Sequence, residues 1–357
     1  MAGSIYQRRS DGRWCAAFVL PNGQRVVRYA RTEREARRLL AELHAAHARG
    51  RLTAPTTTTV AEWLQQWQEL RAAEWRATTR AAYASRARGL SARLGSIRLD
   101  KLTPVAIEQA MGEIARERGS RAAQLAFELL VAALRDARRL GLLGVDVTTD
   151  CRRPPHRPRP RRWLTAHELQ RLVTSLRHSA DPDAPLVLLL VATALRVGEL
   201  IALRWGDVDL TTGWLYVRRT RLRLNGVWLE QEPKTRAGMR AFPLTALARE
   251  ALGRLPRGLA PEAFIFDARG PHGGRLLNSD YVERAVRRLC RVADVPPQTP
   301  HALRHAAVSA ALAHGAPLAE IARVVGHTTP HVTARVYAHA LGQPARVAQA
   351  LNQALEG

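Results

Sequence analysis

The chain has 357 residues, more than one hydrophobic core usually holds, so two or three domains are expected. Lys and Arg total 55 against 31 Asp and Glu, a net charge of +24 at pH 7, which predicts a polyanionic partner bound through counterion release. The longest apolar run, 184–195, is too short to span a bilayer, residues 1–4 do not open a secretory signal, and Cys15, Cys151 and Cys290 are odd in number with no C-x-x-C; a reduced, cytoplasmic protein with no membrane partner is expected.

Residues 1–54 read as a small β-sheet followed by a helix. The β-prone runs 6–8, 14–20 and 24–29 are separated by Ser10-Asp11-Gly12 and Pro21-Asn22-Gly23, both turn sequences. Thr32-Glu33-Arg34-Glu35 forms a capping box for a helix with Ala36, Leu39, Leu40 and Leu43 on one face. Strands that carry Arg8, Arg9, Arg13, Arg25 and Arg28 fit either a DNA groove or a solvated basic sheet face.

The threonine run 56–59 is a linker, and residues 55–146 read as a helical domain of about four helices punctuated by Gly89, Gly95 and Thr103-Pro104. Thr59-Val60-Ala61-Glu62 caps the first helix, on which Trp63, Leu64, Trp67 and Leu70 form an aromatic stripe better suited to a core than to base stacking. Thr78, Thr79, Arg80, Tyr83, Arg86 and Arg88 interleave short donors with arginines, as a phosphate-contacting face would, and as many exposed helices do. Residues 147–162 form a basic interdomain linker: Arg152, Arg153, Arg157, Arg159, Arg161 and Arg162 stand among prolines that forbid a helix. Thr165-Ala166-His167-Glu168 caps the first helix of a domain over 163–343, mainly helical except for a three-stranded antiparallel sheet expected from 214–223, 227–232 and 240–244. The fold class expected is therefore α+β and predominantly helical. Beyond Gly342 and Pro344, Val347, Leu351 and Leu355 recur at helical spacing on a tail, 344–357, too short to be stable alone.

A set of chemistry-bearing residues is spread through the last domain. Arg196 ends an apolar run, where an unpaired charge would be costly, and Glu199 three residues on shares a helical face with it. Lys234 follows Glu232-Pro233 at a bend between strands, a position at which a lysine is ordinarily just solvated. Thr299-Pro300 opens a helix that places His301 and Arg304 in its first turns, where free backbone N–H groups also favour an anion. His327 follows Gly326, a helix C′ residue, and Tyr337 follows on the short helix begun by Thr329-Pro330. A phosphodiester is negatively charged and gains more charge under attack, so cationic donors must surround its site. Phenol has a pKa of about 10, so a tyrosine nucleophile needs such cations or a base. The H-x3-H pairs His301/His305 and His327/His331 lack the cysteines or carboxylates of a zinc site, and no metal or other cofactor is expected.

Thr193-Ala194-Leu195-Arg196-Val197-Gly198-Glu199-Leu200, Pro233-Lys234-Thr235, His301-Ala302-Leu303-Arg304-His305, Gly326-His327 and Tyr337 resemble, in order and gaps, the signature boxes of the tyrosine recombinases, the phage-integrase family. Ala194 stands where that family commonly has glycine, Val325 where it has leucine, and the step from His327 to Tyr337 is one residue longer than usual. The resemblance implies metal-free cleavage and rejoining of double-stranded DNA through a 3′-phosphotyrosyl link to Tyr337. Lys234 would be the general acid, Arg196, Arg304, His301 and His327 would hold the developing charge, and Glu199 would orient Arg196. It further implies an arm-binding domain over 1–54, a core-binding domain over 55–146, a tetramer on paired sites, an accessory DNA-bending or directionality factor, and a tail docked on its own catalytic domain or on a neighbour. A type IB topoisomerase-like swivelase and a non-catalytic DNA-binding regulator on the same fold are the alternatives.

Overall fold

The computed structural model describes residues 3–20, 23, 25–48, 56–156, 162–233, 236–256, 260–266, 277–326 and 334. Lys234, His327, Tyr337, Arg157, Arg159, Arg161 and the tail 344–357 lie outside the described residues. The chain divides into two compact units, 1–159 and 160–357.

The first unit opens with an antiparallel sheet in the order β1 (Gly3–Gln7), β2 (Trp14–Val19), β3 (Arg25–Ala30), covered on one face by α1 (Glu33–Ala48). Ala16, Phe18, Val26 and Ala30 turn toward Ala36 and Leu43 of α1. Side chains alternate along strands, so the opposite face carries Tyr6, Cys15, Ala17, Arg25, Val27 and Tyr29. There the Arg8 and Arg25 guanidiniums lie over the rings of Tyr29 and Tyr6, 5.9 and 5.0 Å from their centroids. Arg28 pairs in register with Ala16 and is thereby on the α1 side, apart from Arg25. Arg8 and Arg13 both reach Asp11 in the turn between β1 and β2. The box at α1 is displaced by one residue: Thr32 Oγ1 accepts from Glu35 N–H, but the Glu35 carboxylate accepts from Arg31 N–H.

Four helices follow: α2 (Val60–Arg71), α3 (Ala77–Leu94), α4 (Pro104–Arg118) and α5 (Ser120–Arg139). Thr59 and Glu62 form the expected capping box. Trp63, Leu64 and Trp67 are buried, and both indoles have their N–H satisfied, Trp63 by Ala133 O at 2.9 Å and Trp67 by Asp136 Oδ2 at 2.8 Å. Leu70 departs from the expected stripe at 63% exposure: it is one residue from the end of α2, where Arg71 turns to Asp136. Gly89 does not punctuate a helix; it is inside α3. Thr78, Arg80 and Arg86 are all on α3, with Arg86 over the Tyr83 ring. Of the described arginines in the basic run 152–162, Arg153 pairs with Glu128 at 2.5 Å, and the Arg152 backbone N–H is held by Glu108.

The second unit is built around α7 (Ala184–Thr193), apolar all round and therefore central. Before it comes α6 (Ala166–His178), opened by the Thr165–Glu168 box; after it come α8 (Val197–Leu200) and the strands β4 (Val208–Asp209), β5 (Trp214–Val217), β6 (Thr220–Leu224), β7 (Val227–Gln231) and β8 (Arg240–Pro243). The helices α9 (Ala246–Gly253), α10 (Ser279–Val292), α11 (Pro300–Ala313) and α12 (Leu318–Val325) complete it. The expected three-stranded sheet is composed differently. Its order is β4-β5-β8, and β6-β7 is a separate hairpin. The run 214–223 breaks because Arg218 and Arg219 both reach the buried carboxylate of Asp207, at 3.2 and 2.5 Å. Neighbours in a continuous strand point to opposite faces and could not share one carboxylate. Among the described residues no helix is long and apolar enough to cross a membrane.

Candidate active site

Three segments of the second unit meet at one turn. Helix α7 ends at Ala194 in the left-handed conformation, with φ 49°, a region that favours glycine. That reversal takes Arg196 out of the apolar helix and makes it the N-cap of α8, rather than its last buried residue. Its side chain is 46% exposed; Nη1 donates to Glu199 Oε1 at 2.8 Å, Nη2 to Gly326 O at 3.2 Å, and the backbone N–H to Glu199 Oε2 at 2.9 Å.

Helix α11 begins at Pro300 with Thr299 as N-cap, its Oγ1 accepting from Ala302 N–H. Arg304, one turn in, is only 3% exposed. Its Nη1 donates to Ala194 O at 2.5 Å and its Nη2 to Val325 O at 2.6 Å, so it stitches the residues before Arg196 to the end of α12. Gly326 caps α12 in the left-handed conformation, φ 66°, as expected of a C′ residue. His301 is exposed and borders a cleft of about 560 Å³ that also includes Arg162, Trp163, Val197, Glu283 and Thr299. Behind it the Trp163 ring stacks on His305, centroids 3.9 Å apart and nearly parallel. Arg162 pairs with Glu168 at 2.7 Å.

Glu199 is the hub, 3% exposed. Burial alone would raise its pKa, but hydrogen bonds and charge from Arg240, with the Arg196 N–H and guanidinium, hold it below the usual carboxylate range. Arg240 is the residue that the sequence reading missed. It binds both Glu199 oxygens, at 3.1 and 2.9 Å, and Arg304 Nη1 lies 4.0 Å from Oε2. No local signal marks Arg240: an arginine that opens a strand is ordinarily solvated, and its partner lies 41 residues away in sequence. One carboxylate among three guanidiniums leaves an excess of positive charge at the turn, as an anionic reactant requires. The structure thus brings Arg196, Glu199 and Arg304 together, and sets His301 at the cleft that Val197 also lines.

Residues 162–343 match the family model described as "Phage integrase family". The chain belongs to the phage integrase family, the tyrosine recombinases. An integrase of Streptomyces ambofaciens is 28% identical over 94% of this chain and 91% of its own length. The tyrosine recombinase XerC of Corynebacterium efficiens is 30% identical over 48% of this chain, which spans about half the length of that relative. Among solved structures, the Tn1549 transposon integrase bound to transposon right-end DNA superposes with a TM-score of 0.67 at 21% identity, covering 84% of this chain and 100% of that one. A lambda integrase tetramer bound to a Holliday junction superposes with a TM-score of 0.61 at 20% identity, covering 95% of both. This phage-integrase family member is a tyrosine-type site-specific DNA recombinase, and its predominantly helical α+β fold is that of the integrases.

Proposed function

We propose that in this recombinase Tyr337 attacks a DNA phosphate, Lys234 protonates the departing 5′ oxygen, and Arg196, Arg304, His301 and His327 hold the charge on the non-bridging oxygens. Glu199 orients Arg196. The Tyr337 oxygen gains the bond to phosphorus as the 5′ oxygen leaves, so the bond energy is kept in a 3′-phosphotyrosyl link that a second 5′ hydroxyl reverses. The observation that carries this assignment is the convergence of Arg196 and Arg304 on residues 325–326, immediately before His327. Arg196, half exposed, has guanidinium surface left for a phosphate.

The remaining parts follow the same reading. Residues 1–54 bind arm-type DNA, supported by the arginine and tyrosine face of the β1–β3 sheet. Residues 55–146 bind core DNA, 147–162 link them to the catalytic domain at 163–343, and the tail 344–357 docks on its own catalytic domain or on a neighbouring protomer. The working assembly is a tetramer on two paired sites in the cytoplasm, assisted by a DNA-bending or directionality factor; the tetrameric lambda integrase is the parallel.

Replacing Tyr337 with Phe removes only the phenolic oxygen. Tyr337→Phe protein is expected to bind duplex DNA as the wild type does and to form no SDS-resistant adduct on a nicked suicide duplex. An adduct formed by that variant would assign the nucleophile elsewhere.

A further inference from the structure

Glu199 receives a double hydrogen bond from each of two arginines. Arg196 uses its backbone N–H and Nη1, one on each oxygen, and Arg240 uses Nη1 and Nη2, again one on each. Arg240 is 6% exposed, and its other contacts lead away from Glu199: Nε donates to Val324 O at 2.5 Å and Nη1 to Gly238 O at 3.0 Å. One planar guanidinium therefore ties α8, the start of β8 and the end of α12 together. Gly326 closes over it. A Cβ at that position would lie 3.0 Å from Arg240 Nη1 and 3.1 Å from Ala237 O, in a left-handed conformation that L side chains rarely adopt.

We propose that Arg240 is a positioning residue for strand cleavage: by gripping both oxygens of Glu199 it fixes the Arg196 guanidinium against the turn at Gly326. The inference rests on the reaction proposed above. Two physical effects carry it. The first is geometric: a carboxylate held on both oxygens cannot swing about its terminal bond, so the Nη1 bond of Arg196 has one direction. The second is electrostatic. With Arg196 alone, Glu199 would neutralise the charge meant for the phosphate; with Arg240 sharing it, Arg196 keeps a net attraction for an anion. Among the described residues, the charged groups that face Glu199 are Arg196 from the N-cap of α8, Arg240 from β8 and Arg304 from α11. A lysine at 240 would restore the charge without the planar fork. In sequence Arg240 lies six residues after Lys234, and its acceptor Val324 lies three before His327.

The test compares full-length wild type, Arg240→Lys, Arg240→Met, Glu199→Gln and the double variant Glu199→Gln/Arg240→Met. Each is measured for single-turnover cleavage of a nicked duplex bearing the core site mapped by footprinting, and for binding to the intact duplex. Arg240→Met is expected to slow cleavage about 100-fold or more while Kd moves less than about 3-fold, with Arg240→Lys recovering only part of the rate. The acid limb of its pH–rate profile should move to higher pH, because Glu199 has lost the partner that most opposes its protonation. In the Glu199→Gln background the same replacement should cost less than about 5-fold, since both residues act through one contact. Equal losses in the two backgrounds, or an Arg240→Met rate within about 3-fold of wild type, would overturn the proposal. If Arg240→Met does not fold, Arg240→Lys carries the same comparisons. Failure of the underlying reaction looks different: wild type would then be indistinguishable from Tyr337→Phe, with no adduct from either.

Discussion

Gly198 sits between Arg196 and Glu199 in sequence, with β6 of the β6–β7 hairpin beside it. A Cβ there would fall 2.5 Å from Thr220 Oγ1 and 3.0 Å from Arg221 O. The threonine can turn away, but the carbonyl belongs to the strand, so β6 would have to move. Gly198→Ala is expected to destabilise the protein by about 1–3 kcal/mol, the usual cost of overpacking, read as a lower urea midpoint at unchanged slope. A midpoint equal to wild type would mean that the hairpin is not seated on α8. At this scale Arg196, Glu199 and Arg304 were legible, because a charge in an apolar box demands a partner and the boxes stand in a known order. Arg240 was not, since an arginine at the head of a strand looks solvated until its partner, 41 residues away, is in place. Ala194 was legible only as an oddity; the left-handed φ supplies the reason glycine suits that position.

Among the elements, the helices could be read and the strands only in part. Capping boxes at Thr59–Glu62 and Thr165–Glu168 and the Thr299-Pro300 start are local chemistry, complete within four residues. The break between β5 and β6 depends on Asp207, a tertiary partner that no period in 214–223 announces. The packing of α2 on α5 is likewise tertiary, and it centres on Asp136. That carboxylate accepts from Trp67 Nε1 at 2.8 Å, from Arg71 Nη2 at 2.7 Å and from Arg139 Nε at 3.2 Å. Burial pushes its pKa up, and these three donors together bring it below the ordinary 3.8. Asp136→Ala leaves the Trp67 N–H buried without an acceptor and should cost about 1–3 kcal/mol at pH 7. A carboxyl with a depressed folded pKa adds stability that is fully present above its unfolded value and is lost as pH falls through the folded one. The gap between wild type and Asp136→Ala in urea should therefore narrow as the pH drops below 3.8. A gap that stays constant down to full protonation would assign the loss to packing alone.

For the whole molecule, the charge of +24 and the order of the signature boxes already pointed to DNA. Which arginines remain free to meet it was not legible, because pairing is decided in space. Within the basic run 152–162, Arg153 and Arg162 each have a carboxylate partner, Glu128 and Glu168, on exposed ion pairs worth little in water. A phosphate that displaces such a carboxylate gains less than one met by an unpaired arginine, and the counterion released per contact is correspondingly smaller. Arg157, Arg159 and Arg161 are the arginines of this basic run that lie between Arg153 and Arg162. Replacing these three with glutamine should flatten the dependence of log K on log salt by a slope of about 3, at roughly 0.9 per phosphate contact. Site preference should hardly change, because phosphate contacts carry no base information. Replacing Arg153 and Arg162 should flatten it by less than about 2, their carboxylate partners having already taken part of the charge. Binding isotherms across a salt series on one duplex measure both variants. An unchanged slope in the triple variant would make the segment a linker and nothing more.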